Sequence, residues 1–284
     1  MEKEGYFNIR TDMADEAHRL WQGSSEKRTE LSGVRARKFQ LHGLEVLKTE
    51  ILNEDGERAL GKARGKYFSL TLPRLFDRGA EDFGNISMAL SELIKSCVGN
   101  CFDRVLVAAL GNPDITPDAL GNLAASSTLV TRHLDRAEFP QFKSLALCRP
   151  GVLGTSGMES AAQIKTLCTL VEPELVIAVD ALAGSEPERL CRCIQISDAG
   201  ISPGSGVGND RQELGRASLG IPVIAIGMPT VIEPAHLGGS KLCDMFMTPR
   251  SIDSLVRNGG RLIGYAINMA VHGLSVEEID SLVG

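Results

Sequence analysis

The sequence predicts an α/β fold: a mostly parallel sheet flanked by helices, with an added N-terminal β-hairpin region. Three observations carry this. From Asp103 onward, continuous apolar runs alternate with segments of helical periodicity, the pattern of parallel strands covered on both faces. Ahead of them, two β-like runs flank Asp55-Gly56, a strong hairpin turn signal. The 284 residues, 43% hydrophobic and 23% charged, are enough for a sizeable core without disulfides or metal.

Taken in order, residues 1–30 are polar, with a helix expected after Thr11. "LEVLKTEIL" and "GKYFSLTLP" read as the two hairpin strands. "DFGNISMALSELIKSCV" spaces its apolar residues as a helix does. "DRVLVAALG" is a buried strand with a helix expected from Pro117, and "SLALCRPG" is the next strand. In "GMESAAQIKTLCTLV", Ile164, Leu167, Cys168 and Val171 share one helical face, and Ser156 with Glu159 fits a capping box. "PELVIAVDAL", "CIQISDAG" and "IPVIAIGMP" are further strands, with a short helix near "DRQELGRA". A last helix spans about Ile252 to Val271, interrupted at Gly259-Gly260.

The net charge is -6, with acids and bases mixed along the chain, which argues against direct nucleic-acid binding. The charged N-terminus lacks a signal-peptide apolar run, and no stretch approaches the roughly 18 apolar residues of a membrane span, so a cytoplasmic location without membrane contact is expected. Seven cysteines without framework spacing read as reduced, mostly buried thiols.

In open α/β sheets, ligands bind beyond the carboxyl ends of the strands. If all strands ran parallel, the loops after them would gather Asp114, Asp118, Asp180, Asp198 and Asp210 with Asn112 and Asn209 at one edge. Thr116 can cap a helix that Pro117 opens, placing Asp118 in the first turn, where the dipole favours its ionised form. Asp180 ends an apolar strand, where burial favours the neutral form. Two carboxyls in unlike surroundings can divide acid and base roles. The plainer alternative is that Asp118 decorates a helix start and Asp180 caps a loop.

Other motifs carry less. Gly56-x4-Gly61-Lys62 imitates a phosphate loop, but Ala63 stands where a hydroxyl is needed. "GSGVGN" has Asn209 in place of a third glycine, so a loop lining a pocket is the better reading, and no cofactor is expected. Ser205 lacks nucleophile-elbow spacing. His133 reads as a structural histidine, and no paired metal motif occurs.

Together, "IRTDMADE", "LGNPDITPDALG", "VTRHL", "PGVLGTSGMES", "PELVIAVDALA", "IQISDAGISPGSGVGN", "LGIPVIAIGMPTVIEP" and "FMTPRSID" resemble the bacterial spore germination proteases, from Asn8 to Asp253 in the family's order. The resemblance implies a fold similar to hydrogenase maturation proteases. It implies an atypical aspartic-type endopeptidase that degrades small acid-soluble spore proteins during germination in the spore core, working as a homotetramer. The functional aspartates it implies are Asp118 and Asp180, with Asn112, Thr116, Asp198, Ser205 and Asn209 as possible substrate-loop residues.

The family is made as a zymogen that removes its own N-terminal segment. Its targets are cut after an acid, before an apolar residue and then Ala, with Glu further on. Thr11-Asp12-Met13-Ala14-Asp15-Glu16 reproduces that pattern. The resemblance therefore implies a propeptide of residues 1–12, cleavage between Asp12 and Met13, and a single peptidase domain of residues 13–284. The chain departs from the family at Gly184-Ser185, at "GMPTVIEP" and in a compressed stretch from His236 to Cys243. Two alternatives remain at this level. One is a metal-dependent maturation peptidase recruiting His133 beside the two aspartates, and the other is a non-catalytic relative with an acidic pocket.

Overall fold

An eight-stranded sheet in the order β1-β2-β3-β7-β8-β6-β4-β5 organises the molecule. The computed structural model describes residues 11–24, 31–74, 76–99, 102–202, 213–232 and 245–283. The strands are β1 (Val34–Leu41), β2 (Leu44–Ile51), β3 (Gly65–Thr71), β4 (Arg104–Ala109), β5 (Ser144–Cys148), β6 (Leu175–Gly184), β7 (Cys193–Ser197) and β8 (Val223–Ile232). Three pairings are parallel (β4 with β5, β4 with β6, β6 with β8). Four are antiparallel (β1 with β2, β2 with β3, β3 with β7, β7 with β8). The sheet is therefore mixed rather than mostly parallel. Residues 185–192 join β6 to β7, too few for a parallel crossover, which needs roughly a dozen or more.

The expected N-terminal strands are present, but the turn is elsewhere. The hairpin joins β1 to β2 through His42 and Gly43, with φ of 49° and 79°, as a tight two-residue turn requires. Asp55-Gly56 lies instead in helix α2 (Glu54–Leu60). Asn53 caps that helix by accepting from the Gly56 N–H, and three acids fill its first turn, so helix-start chemistry overrides the turn dipeptide.

Helix α1 (Ala14–Ser24) starts just after Thr11, as expected. Helices α3 (Phe83–Val98), α4 (Leu120–Ala125) and α8 (Ile252–His272) belong to one face of the sheet. There they bury Phe83, Leu90, Leu120 and Ile263 against Val105, Val107, Ile177 and Val179. On the other face, Leu106, Ala108, Val176 and Ala178 meet α6 (Ser160–Val171) through Ile164, with Leu167, Cys168 and Val171 on the expected side. The capping box at Ser156 is not formed. Ser156 ends a separate turn, α5 (Leu153–Ser156), because Gly157 at φ 70° terminates it, and Glu159 is the cap residue of α6. The short helix near "DRQELGRA" is α7 (Arg216–Leu219), and α9 (Val276–Val283) closes the chain.

The last long helix is not interrupted at Gly259-Gly260. The glycines of this helix are contact points: a Cβ on Gly259 would lie 2.7 Å from Met228 Cε, one on Gly260 2.7 Å from Leu123 Cβ, and one on Gly264 2.7 Å from the Ala124 carbonyl oxygen. Gly260 and Gly264 let α4 lie directly on α8, which fixes the helix that follows Asp118. Cys191 and Cys193 are buried, whereas Cys97, Cys148 and Cys168 are only partly buried, and burial pushes the Cys191 and Cys193 thiols up to about 12.

His272, at the end of α8, stacks edge-on with Phe142, and burial lowers its pKa to about 4. The unfolded chain therefore takes up this proton first. The associated stability is intact above about pH 6.5 and is lost as pH falls toward 4. Urea midpoints measured across this window are expected to fall, and His272→Leu is expected to flatten the decline.

Candidate active site

The loop after β4 is built around Asp118. Ile115 caps a 3₁₀ turn, Thr116–Asp118, without a side-chain bond, so Thr116 opens the turn rather than capping a helix. Pro117 preorganises that turn, and α4 starts only at Leu120. Asp118 is oriented by the chain before it: the Asn112 N–H donates to Asp118 Oδ2 at 2.7 Å. Asn112 Oδ1 in turn accepts from the Asp114 N–H at 3.0 Å, which closes the loop on itself. Gly111, at φ 91°, passes under the turn, and a Cβ there would stand 2.0 Å from the Asp118 carbonyl oxygen.

Asp180 is not at a strand end. β6 continues to Gly184, and Asp180 pairs with Gly227 of β8. Its side chain is buried, and Oδ1 accepts from the Ala181 N–H at 3.0 Å. β4 stops one pair short of it, with Ala109 opposite Val179. The Leu110 N–H then donates to the Val179 carbonyl at 2.8 Å. The Asp118 turn therefore leaves the sheet beside Asp180, at the step where β4 ends and β6 goes on. Gly121 tightens this junction, since a Cβ there would meet the Leu110 and Val179 carbonyl oxygens at 2.4 and 2.5 Å.

The other expected edge residues separate. Because β7 runs antiparallel to β8, Asp198 emerges toward the start of β8, with Ser197 opposite Ala225. Asp198 accepts from the Lys66 N–H at 2.6 Å and pairs with Lys66 Nζ at 3.9 Å, a structural role at the start of β3. Ser205, Asn209, Asp210 and the stretch from His236 to Cys243 lie outside the described residues. His133 belongs to a turn at the opposite end of the sheet, where the Thr131 and Arg132 N–H groups bond the Leu145 carbonyl at the start of β5. Among the described residues, no three His, Cys, Asp or Glu side chains converge as metal ligands.

Asp12 and Met13 are held against the same sheet. The Asp12 N–H donates to the Ala183 carbonyl at 2.8 Å, and the Ala183 N–H returns a bond to Asp12 Oδ2 at 2.9 Å. Gln195 brackets Met13: Nε2 donates to the Asp12 carbonyl at 3.1 Å, and Oε1 accepts from the Ala14 N–H at 2.8 Å. Gln195 pairs with Gly227, which pairs with Asp180, so the three residues share one level and one face of the sheet. Met13 is fully buried against Leu182, Cys193 and Ile201.

Glu16 follows at the start of α1. Its Oε2 accepts from Thr11 Oγ1 (2.7 Å) and from the Ser185 N–H (2.7 Å) and Oγ (2.9 Å). Burial raises its pKa, with those hydrogen bonds pulling the other way. Gln195, Lys62, Ser185 and Arg189, which surround this segment, were not among the expected site residues. Gln195 left one sequence signal, an amide flanked by isoleucines in "CIQIS".

Comparison with known proteins gives a consistent result. The germination protease family, peptidase family A25, matches residues 10–242. The germination protease of Caldanaerobacter subterraneus subsp. tengcongensis is 35% identical, over 97% of this chain and 98% of its own length. That of Clostridium perfringens is 31% identical, over 98% and 99%. That of Bacillus cereus is 37% identical, over 90% of this chain and 69% of its own. Among solved structures, the [NiFe] hydrogenase maturation protease HycI from Thermococcus kodakarensis aligns with 62% of this chain and 99% of its own. Its TM-score is 0.37 and its identity 17%.

Proposed function

Because the chain belongs to the germination protease family, we propose that it is a self-processing endopeptidase of small acid-soluble spore proteins, with Asp118 and Asp180 as its acid and base. The observation that carries this reading is the docking of the Asp12–Met13 peptide on the face and level of the sheet that bear Asp180. The family resemblance adds a homotetrameric assembly in the spore core. Among the described residues, no helix is long and apolar enough to cross a membrane.

The chemistry needs two proton-handling groups and water. One carboxylate takes a proton from water as the water oxygen adds to the carbonyl carbon of Asp12. The carbonyl oxygen becomes an oxyanion, and Gln195 Nε2 already donates to that atom. The second carboxyl gives its proton to the Met13 nitrogen as the C–N bond breaks. The products are a new carboxyl group on Asp12 and a free amine on Met13, with no cofactor in the balance. Asp180 is buried and Asp118 half-exposed, an asymmetry suited to dividing the two roles.

Incubation of the purified chain, followed by intact-mass measurement, is expected to show loss of residues 1–12 and a new terminus at Met13. Stable cleavage at a different bond would count against the assignment.

A further inference from the structure

Residues 12–16 are gripped in a way that anchoring alone does not require. The Asp12 carboxylate meets the Ala183 N–H at 2.9 Å and Lys62 Nζ at 4.0 Å. The Glu16 carboxylate meets the Ser185 N–H and hydroxyl at 2.7 and 2.9 Å and Arg189 Nε at 3.4 Å. Between them, Gln195 bonds only backbone atoms on either side of Met13, and the Met13 side chain enters an apolar niche. Two carboxylates four residues apart are therefore each held by polar groups. The Met13 side chain packs against Leu182, Cys193 and Ile201.

We propose that Lys62, Ser185, Arg189 and Gln195 form the recognition site for the peptide being cut, and that the chain's own residues 12–16 occupy it as a substrate does. This rests on the endopeptidase reading above and assigns residues to its specificity. Lys62, with the Ala183 N–H, selects a carboxylate before the bond. Ser185 and Arg189 select a carboxylate four residues further on. Gln195 bonds the reacting carbonyl oxygen and the Ala14 N–H, so it acts on the backbone across the bond whatever side chain follows. The ligand is an extended peptide that turns helical after the bond, since the Ala17 N–H already bonds the Met13 carbonyl at 3.0 Å. Arg189 also pairs with Asp15, and Asp15 accepts from Ser69 Oγ at 3.0 Å, so a second acid in the helical turn is tolerated beside the first.

The test uses synthetic peptides of residues 6–19 as substrates for the full chain, before and after processing. Three peptides are compared: the natural sequence, one with Asn at position 12 and one with Gln at position 16. With the unaltered protein, each amide replacement is expected to lower kcat/KM by about tenfold or more, the worth of one charge-assisted contact. With Lys62→Met, the position-12 penalty is expected to vanish while the position-16 penalty stays. With Arg189→Met the pattern reverses, and Arg189→Lys retains part of the position-16 preference. Such selective coupling is what a double-mutant cycle isolates from general loss of fold. Variants that lower kcat/KM by the same factor on all three peptides would overturn the recognition site while leaving the endopeptidase reading intact. No cleavage of any peptide, with no self-processing of the unaltered chain, would overturn both.

Discussion

Asp180→Asn is expected to lower peptide hydrolysis by about 10³-fold, within the range that general acid–base groups contribute. The substitution keeps size and shape, and an amide oxygen can still accept the 3.0 Å bond from the Ala181 N–H. It removes the ability to exchange a proton together with the negative charge, and it replaces one acceptor oxygen with an N–H donor. Asp118→Asn is expected to fall in the same range, because its bond from the Asn112 N–H at 2.7 Å is equally open to an amide oxygen. If the two carboxyls act as one unit, the double variant loses little beyond either single one. Turnover of one substrate under saturating conditions, beside circular dichroism to confirm the fold, decides the matter. Near-normal turnover in either variant would remove that aspartate from the chemistry.

Gly111→Ala is expected to cost about 3 kcal/mol of stability, combining the left-handed backbone penalty with overpacking. The position has φ 91°, and the added methyl would stand 2.0 Å from a backbone carbonyl, which cannot rotate aside. The obstructed atom is the carbonyl oxygen of Asp118 itself, so the turn must lift away from β6. Activity is therefore expected to drop even at temperatures where the variant stays folded. Chemical denaturation and a kcat measurement on the folded fraction check the two halves separately. A variant with unchanged midpoint and unchanged kcat would show that the turn has slack which the packing does not indicate.

Much of this architecture is written locally. The apolar runs at β4, β6 and β8 read as buried strands, and the spacing of Ile164, Leu167, Cys168 and Val171 turns α6 toward the sheet. Where local reading failed, a stronger signal stood nearby. Asp55-Gly56 looked like a hairpin turn, but Asn53 and the acids after it start a helix. Gly259-Gly260 has the look of a break, but close contact with Met228 and with α4 favours residues without a side chain inside α8. The expected strand end at Asp180 was displaced because β8 goes on pairing with β6 beyond it, and pairing partners are not a local property.

The sequence by itself determined the class of fold and, through its resemblance to the germination proteases, named Asp118, Asp180 and the segment "TDMADE" as candidates. Only the tertiary structure decided the direction of β7, and with it which polar groups meet. Running antiparallel to β8, that strand carries Asp198 away from the expected edge and sets Gln195 level with Asp180. The same folding brings Lys62, Ser185 and Arg189 around residues 12–16. These contacts join positions far apart in the chain, and long-range pairing, which local periodicity does not encode, is what places them together.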